Sequence, residues 1–163
     1  MTGATVTAAN LENILLCHTT MPDGKNSECN LVEANLSGSN LTGADLRWAQ
    51  LTWAILSGAN LGRANLTEAN LTDANLSAAN LTGVILAEAN LTRADLSEIG
   101  SSEIDLEGAT LREAMLFRAD LSEANLHKLN LSELNLQEAN LRGANLSQAD
   151  IRGANLYGIN RWL

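Results

Sequence analysis

The side chains that could perform catalysis in this 163-residue chain are scattered rather than grouped. His18 and His127 lie far apart, and no nucleophile and acid recur around either of them, so a catalytic triad is not indicated. Cys17 and Cys29, with His18 beside the first, fall short of the ligand set of a zinc site. The sequence therefore predicts a protein that is not an enzyme and that holds no metal and no cofactor.

The two cysteines bracket an irregular stretch over residues 17–30, which reads "CHTTMPDGKNSECN". Two reduced thiols are the expectation for a cytoplasmic protein, whereas a bond between Cys17 and Cys29 would close a short loop, and both states stay open. Pro22-Asp23-Gly24 favours a tight turn. The stretch is interpreted as an irregular surface loop or as a recognition loop.

Charge and hydropathy exclude several classes of partner. The net charge is −9, from 19 acidic and 10 basic residues, which argues against direct binding to nucleic acid or to an anionic membrane. No apolar run reaches the roughly 18 residues of a membrane span. The first residues lack the basic and apolar regions of a signal peptide, so we expect a cytoplasmic protein.

The dominant feature of the sequence is a tandem repeat of five residues. Leucine fills 24 of the 26 positions at this spacing from residue 31 to residue 156, with Ser101 and Ile151 as the exceptions. Two residues before each of these positions, alanine fills 19 of 25 places, and one residue before, asparagine or aspartate also fills 19 of 25. Such repetition is stronger evidence for the architecture than any single motif in the sequence.

The period of five requires an extended segment and a corner in every repeat. In an extended chain the alanine and the leucine point to the same side, but an odd repeat would send the next leucine to the opposite side. The chain must therefore turn once per repeat, and Asn, Asp, Ser, Thr and Gly at the remaining positions suit turns. An α-helix is excluded, because a step of five would spread the leucines around all of its faces.

Unbroken tandem copies of A-N/D-L-x-x over residues 4–160 resemble the pentapeptide-repeat proteins, in particular cyanobacterial ones with leucine at the centre of the repeat. The resemblance implies an all-β fold, a right-handed, four-sided parallel β-helix with four repeats per coil. We expect a single domain over residues 1–163, with about eight coils. Members of this kind imply a protein-binding or structural role.

Two groups of outward side chains are candidates for a partner surface. Trp48 and Trp53 follow the repeat leucine by two residues and are predicted to be exposed, with Ile55 beside them. Five acidic residues lie between Arg93 and Arg112 without an intervening base: Asp95, Glu98, Glu103, Asp105 and Glu107. The alternatives are scattered surface apolar residues and a solvated acidic face.

Three further departures from the repeat carry expectations. Ser101 takes a leucine position within residues 98–105, which predicts either a hole filled by the larger Ile99 and Ile104 or a protruding loop. Leu129 and Leu134 replace alanine and predict a locally wider coil. The end of the chain carries apolar residues that could cap the last coil or form an end-to-end dimer; they are Tyr157, Ile159, Trp162 and Leu163.

The sequence supports two functions of different class. The main hypothesis is a rigid, non-enzymatic module that binds another protein of unknown identity, as a monomer or an end-to-end dimer. The alternative follows from the quinolone-resistance relatives of the resembling family, which bind type II topoisomerases such as gyrase by mimicking DNA. An acidic surface concentrated on one or two faces would favour this alternative, and an even scatter would weaken it.

Overall fold

The computed structural model describes residues 29–100 and 103–160. The chain winds as a coil in which most of the described repeats pair in parallel with the repeat 20 residues further on, as Asn60 does with Asn80. Twenty residues make four five-residue sides, so the expected four-sided parallel β-helix is confirmed. Each side contributes one bridge residue, and the described residues contain no longer strand and no helix, hence none able to cross a membrane.

We number the coils from residue 29, so that coil 1 spans 29–48, coil 6 spans 129–148 and a part-coil follows at 149–160. Sides are numbered 1 to 4 within each coil, in chain order, and each corner is counted with the side that precedes it. The bridge residues of coil 2 are Gln50, Ile55, Asn60 and Asn65 for sides 1 to 4, respectively. The described residues thus contain five complete coils, together with coil 4 apart from residues 101 and 102.

The walls are held by a regular ladder of backbone hydrogen bonds. On side 4, Leu46 N–H donates to the carbonyl of Asn65 at 2.8 Å, and Asn65 N–H donates back to Ala44 at 2.9 Å. A third bond joins the corners, where Trp48 N–H donates to Thr67 at 3.0 Å. The same three bonds recur on most sides, which satisfies the backbone of a chain that has very little regular strand.

Each corner is a four-residue turn that starts at the repeat leucine. Ala49 N–H donates to the carbonyl of Leu46 at 3.1 Å, and the third residue of the turn, Trp48, has a φ of 58°. Positive φ recurs at the third residue of all 26 described corners, and 18 of these residues are not glycine. A positive φ at this place alone is the signature of a type II turn.

The asparagine column caps the corners. Asn65 Oδ1 accepts a hydrogen bond from the Thr67 backbone N–H at 3.0 Å and another from the Thr67 hydroxyl at 2.7 Å. The same pair of contacts joins Asn70 to Thr72 and Asn75 to Ser77. This arrangement gives the repeated N-L-S/T sequence a local physical reason, because the side chain satisfies an N–H that the turn leaves free.

The leucine and alanine columns form the interior. Leucines from Leu41 to Leu91 are 0% exposed, and the alanines that lie two residues before a repeat leucine in this range are at most 1% exposed. Complete burial of one leucine side chain is worth about 1.5–3 kcal/mol. Over residues 141–156 the leucines are only half-buried and Ile151 is 43% exposed, so the apolar interior reaches the surface at this end.

The irregular stretches of the sequence have different outcomes. Ile99 and Ile104 are buried at alanine positions, and Gly100 keeps its ladder bonds to Ala79 and Leu81 at 2.9 Å. Ser101 lies outside the described residues, so the choice between a filled hole and a loop stays a prediction. Leu129 and Leu134 point inward and are each 4% exposed.

At the N-terminal side, the predicted loop at 17–30 lies outside the described residues, apart from its last two positions. Cys29 is buried and is disulfide-bonded. Cys17 also lies outside the described residues, so its pairing with Cys29 stays a prediction. The same holds for a capping role of Trp162 and Leu163.

Candidate protein-binding surface

The two tryptophans occupy the third positions of successive corners, Trp48 at the end of side 4 and Trp53 at the end of side 1. Their exposed fractions are 43% and 56%, and Ile55 on side 2 is 40% exposed. The left-handed backbone at these corners turns each side chain away from the interior. The prediction that both tryptophans face outward agrees with this placement. Together with Ile55 they form an apolar band where coil 1 passes into coil 2, here called the tryptophan band.

Trp53 is held by a column of polar side chains beneath it. Asp73 lies one coil further on, close enough for the Trp53 indole to lower the pKa of this carboxylate slightly. Arg93, another coil on, donates to both carboxylate oxygens of Asp73 at 2.7 and 2.6 Å. The hydrogen bond from Arg93 lowers the pKa of Asp73, so this carboxylate stays charged and keeps its pair with Arg93.

Trp48 has a cationic neighbour on the same corner. The Arg47 guanidinium carbon lies 5.2 Å from the centre of the Trp48 ring, within the range of a cation–π contact. Arg47 is itself fixed by Asp45, whose two oxygens accept bonds at 2.8 and 2.6 Å. The hydrogen bond to Asp45 raises the pKa of Arg47. Both tryptophans are thus oriented before any partner binds.

A second exposed apolar group lies on side 2 of coil 5. Met115 is 48% exposed, and the Arg118 guanidinium carbon lies 5.5 Å from the centre of the Phe117 ring. Three coils separate this group from Ile55 on the same side, which corresponds to about 14 Å at the usual strand spacing. The two groups are therefore separate surfaces.

The acidic run of the sequence is spread around three sides of coil 4. Asp95 and Glu98 belong to side 2, Glu103 to side 3, and Asp105 and Glu107 to side 4. The structure does not gather them on one face.

Their local contacts also differ. Asp95 accepts from the backbone N–H of Ser97 at 2.9 Å, and Asp105 from that of Glu107 at 3.1 Å, so these two aspartates cap corners as asparagine does elsewhere. Glu98 lies 3.6 Å from Arg118. Within residues 29–100 and 103–160, Glu103 and Glu107 form no ion pair. These two glutamates are the part of the run that is most available to a partner.

The distribution of charge bears on the hypothesis of DNA mimicry. Over the described residues, the 16 acidic side chains divide as five, three, three and five among sides 1 to 4. The eight basic ones divide as three, one, two and two, so every side has a net negative charge of only one to three. This is the even scatter that weakens the alternative.

One pairing of catalytic residue types was not predicted. His127 Nδ1 lies 2.8 Å from the hydroxyl of Ser147 and 2.9 Å from its carbonyl oxygen. A carbonyl oxygen only accepts, so Nδ1 carries the proton, and the Ser147 hydroxyl donates to Asn145 at 2.6 Å. A protonated Nδ1 cannot act as the base for this hydroxyl. Among the described residues there is also no cluster of three potential metal ligands.

Comparisons with known proteins agree with this geometry. The family model for pentapeptide repeats matches residues 27–58, 59–97, 102–128 and 130–160. The chain is similar to the crystal structure of HetL, a pentapeptide-repeat protein involved in heterocyst differentiation regulation in the cyanobacterium Nostoc sp. strain PCC 7120. The identity is 32%, the match covers 95% of this chain and 84% of HetL, and the TM-score is 0.55.

A second similar structure is that of QnrB1, a plasmid-mediated fluoroquinolone resistance protein, in a trypsin-treated R167E form. The TM-score is 0.77 and the match covers 96% of this chain and 72% of QnrB1, but the identity is 18%, so the likeness concerns the fold. A search of curated protein sequences finds no significant match.

Proposed function

This chain belongs to the pentapeptide-repeat family, and on that premise we propose that it is a rigid protein-binding module without catalytic activity of its own. The observation that carries the proposal is the tryptophan band. Exposed tryptophan is the residue type most enriched at the energetic centres of protein interfaces. The band sits on coils whose interior leucines are completely buried.

The rigidity of the band favours binding. A side chain that is already fixed loses less conformational entropy when a partner orders it, which is the benefit of pre-organisation. Arg93 fixes Asp73 beside the Trp53 indole through two hydrogen bonds, and Trp53 itself is 56% exposed. Glu103 and Glu107, two and a half to three coils further along, would add attraction for a basic patch on a partner that spans this length.

The kind of partner follows from the charge and the apolar area. A net charge of −9 disfavours nucleic acid and anionic lipid, which leaves a protein as the partner that the surface fits. HetL is described as involved in regulation, and a regulatory contact is a role that a rod of this kind can perform without catalysis. We place the protein in the cytoplasm and propose that it acts as a monomer or as an end-to-end dimer.

The test is affinity capture from a lysate of the source organism, with the wild type and the W48A/W53A variant side by side. We expect at least one captured protein to be reduced by about 30-fold or more, which corresponds to an interface hot spot of about 2 kcal/mol. Met115 is 48% exposed on coil 5, three coils from Ile55, so M115A is the matched control and should retain the partner. Equal capture by all three proteins would contradict the proposal.

The alternative, a DNA mimic that modulates gyrase, is less favoured because the negative charge is low and evenly spread. A gyrase supercoiling assay with and without a quinolone addresses it directly. Inhibition of gyrase, or protection of gyrase from the quinolone, at micromolar concentrations of this protein would support the DNA-mimic hypothesis. No effect at tens of micromolar would exclude that hypothesis for gyrase.

A further inference from the structure

The wall of the β-helix contains an open seam, which begins between coils 4 and 5 on side 4 and continues between coils 5 and 6 on sides 1 and 2. Seven hydrogen bonds that the ladder pattern requires here are absent, although both partners of each bond lie within the described residues. The unpaired N–H groups belong to Leu106, Gly108, Leu111, Glu113, Leu116, Asn130 and Asn135. Away from the part-coil at the end, the described ladder is otherwise nearly unbroken, so the seam is a local feature of this wall.

The seam has defined ends. At one end Asn125 N–H still donates to the carbonyl of Ile104 at 3.0 Å, and at the other Arg118 N–H donates to Gln137 at 3.0 Å. On side 3 coils 5 and 6 are joined normally, with Leu121 N–H donating to Asn140 at 2.9 Å. The opening is therefore a window of about one and a half sides rather than a separation of the rod into two pieces.

Two leucines account for the window. Leu129 and Leu134 occupy successive inward positions at the two corners that flank side 1 of coil 6, where coils 2 to 5 have alanine. Each adds three carbons to a closely packed interior, and overpacking of this kind displaces the backbone. The turn bonds of both residues lengthen to 3.3 Å, and Ala109 in the wall above becomes 8% exposed, against 0% for Ala89 one coil earlier.

The window opens onto two adjoining grooves of about 540 and about 690 Å³, which share Ala109 and Asn130. Their edges have complementary hydrogen-bonding character. Coil 5 presents mainly N–H donors, such as those of Leu111 and Glu113, and coil 6 presents mainly carbonyl acceptors, such as those of Asn130 and Ser132. An extended peptide carries both groups along its backbone and is the ligand that can pair with such edges.

The side chains along the grooves indicate the charge of that peptide. Arg112 is already paired with Glu113 at 3.1 Å. The remaining charged residues of the groove walls are Glu88, Glu107, Glu133 and Lys128, three acidic and one basic.

We infer that the seam is a docking site for a short extended peptide that carries basic side chains. The inference shares with the proposed function the premise that the rod binds protein, but it concerns a surface three coils away from the tryptophan band.

The first test is amide hydrogen exchange of the free protein followed by NMR. The amides of Leu111, Glu113 and Asn130 should exchange about 100-fold faster than those of Leu91, Arg93 and Thr110, their bonded equivalents one coil earlier. In L129A/L134A, which restores the alanine of the other coils, the seam amides should become protected. Equal protection of the two sets in the wild type would overturn the inference without any ligand.

The second test selects random dodecapeptides displayed on phage against the wild-type protein. Peptides that bind the seam should be rich in lysine or arginine, should protect the amides of Leu111 and Asn130 from exchange, and should bind L129A/L134A at least about 10-fold more weakly. W48A/W53A should bind them as the wild type does, which separates this site from the tryptophan band. If the selected peptides are acidic, or bind L129A/L134A equally well, the inference is wrong.

Discussion

The corner position with positive φ allows a sharp test of the fold. Two alanines of one coil differ in backbone conformation there, and they should therefore differ in how well they tolerate a larger side chain. Ala78 is the third residue of its corner, with a φ of 55°, and its side chain is exposed. Ala87 is the second residue of a corner in the same coil, outside the set with positive φ. The test replaces Ala78 and Ala87 by valine in separate variants. A third variant, Ala78→Gly, should relieve the backbone strain that valine increases.

The expected sizes follow from backbone strain. A left-handed conformation costs a non-glycine residue about 1–2 kcal/mol, and a β-branched side chain makes it worse. None of the 26 described residues at this corner position is β-branched. Ala78→Val should therefore lower the free energy of unfolding by a further 1–2 kcal/mol or so, whereas Ala87→Val should stay within about 0.5 kcal/mol of the wild type.

Ala78→Gly should act in the other direction. It removes the strain of about 1–2 kcal/mol but adds a backbone entropy cost of about 0.5–1 kcal/mol, which leaves a gain of roughly 0.5–1 kcal/mol. The assay is urea denaturation followed by circular dichroism, with a comparison of slopes to check that each variant unfolds with the same cooperativity. If valine at positions 78 and 87 had the same effect, backbone strain at the corner would not be the determinant.

Three other predictions follow from the packing and the charges. Gly108→Ala should destabilise more than Gly58→Ala, because an added Cβ at position 108 would lie 3.0 Å from Cγ of Glu88, close to the Glu88 backbone, whereas the space at position 58 is open; equal midpoints of urea denaturation would contradict this. Leu66→Ala should cost about 3–5 kcal/mol through an interior cavity, and a measured loss below about 1 kcal/mol in the same assay would show that the coil collapses around the gap. The hydrogen bond from Arg152 lowers the pKa of Asp150 to about 2, so its contribution to stability is present above about pH 4 and is lost as the pH falls towards 2; in Arg152→Gln an NMR titration should find this pKa raised towards 3.8, and an unchanged value would exclude the pair as the cause.

The sequence predicted the interior of this protein better than its corners. The leucine and alanine columns require a chain that turns once in five residues, and burial in the structure follows these columns closely. The left-handed conformation could not be inferred from residue types, because glutamate, arginine and tryptophan at positions such as Glu68, Arg93 and Trp48 do not signal a positive φ. Regular backbone pairing imposes it on whichever residue occupies that place.

The candidate site was predictable in part for a similar reason. The outward direction of Trp48 and Trp53 follows from their distance to the repeat leucine. The support of Trp53 by Asp73 and Arg93 requires the number of residues per coil, which the five-residue period alone does not provide. The sequence also shows the extra volume of the leucines in coil 6. It does not show which hydrogen bonds of the ladder break in response, and these bonds determine which part of the wall opens.

The division of each coil into four equal sides has a consequence for how such proteins can vary. Insertion or deletion of 20 residues lengthens or shortens the rod and leaves every outer residue facing its original direction. Insertion of a single five-residue repeat preserves the interior columns equally well but rotates everything after it by a quarter turn about the axis. One such repeat placed between the tryptophan band and the seam would rotate the two surfaces relative to each other by a quarter turn. The direction in which a binding site faces can therefore change in steps of 90° in this architecture, independently of its stability.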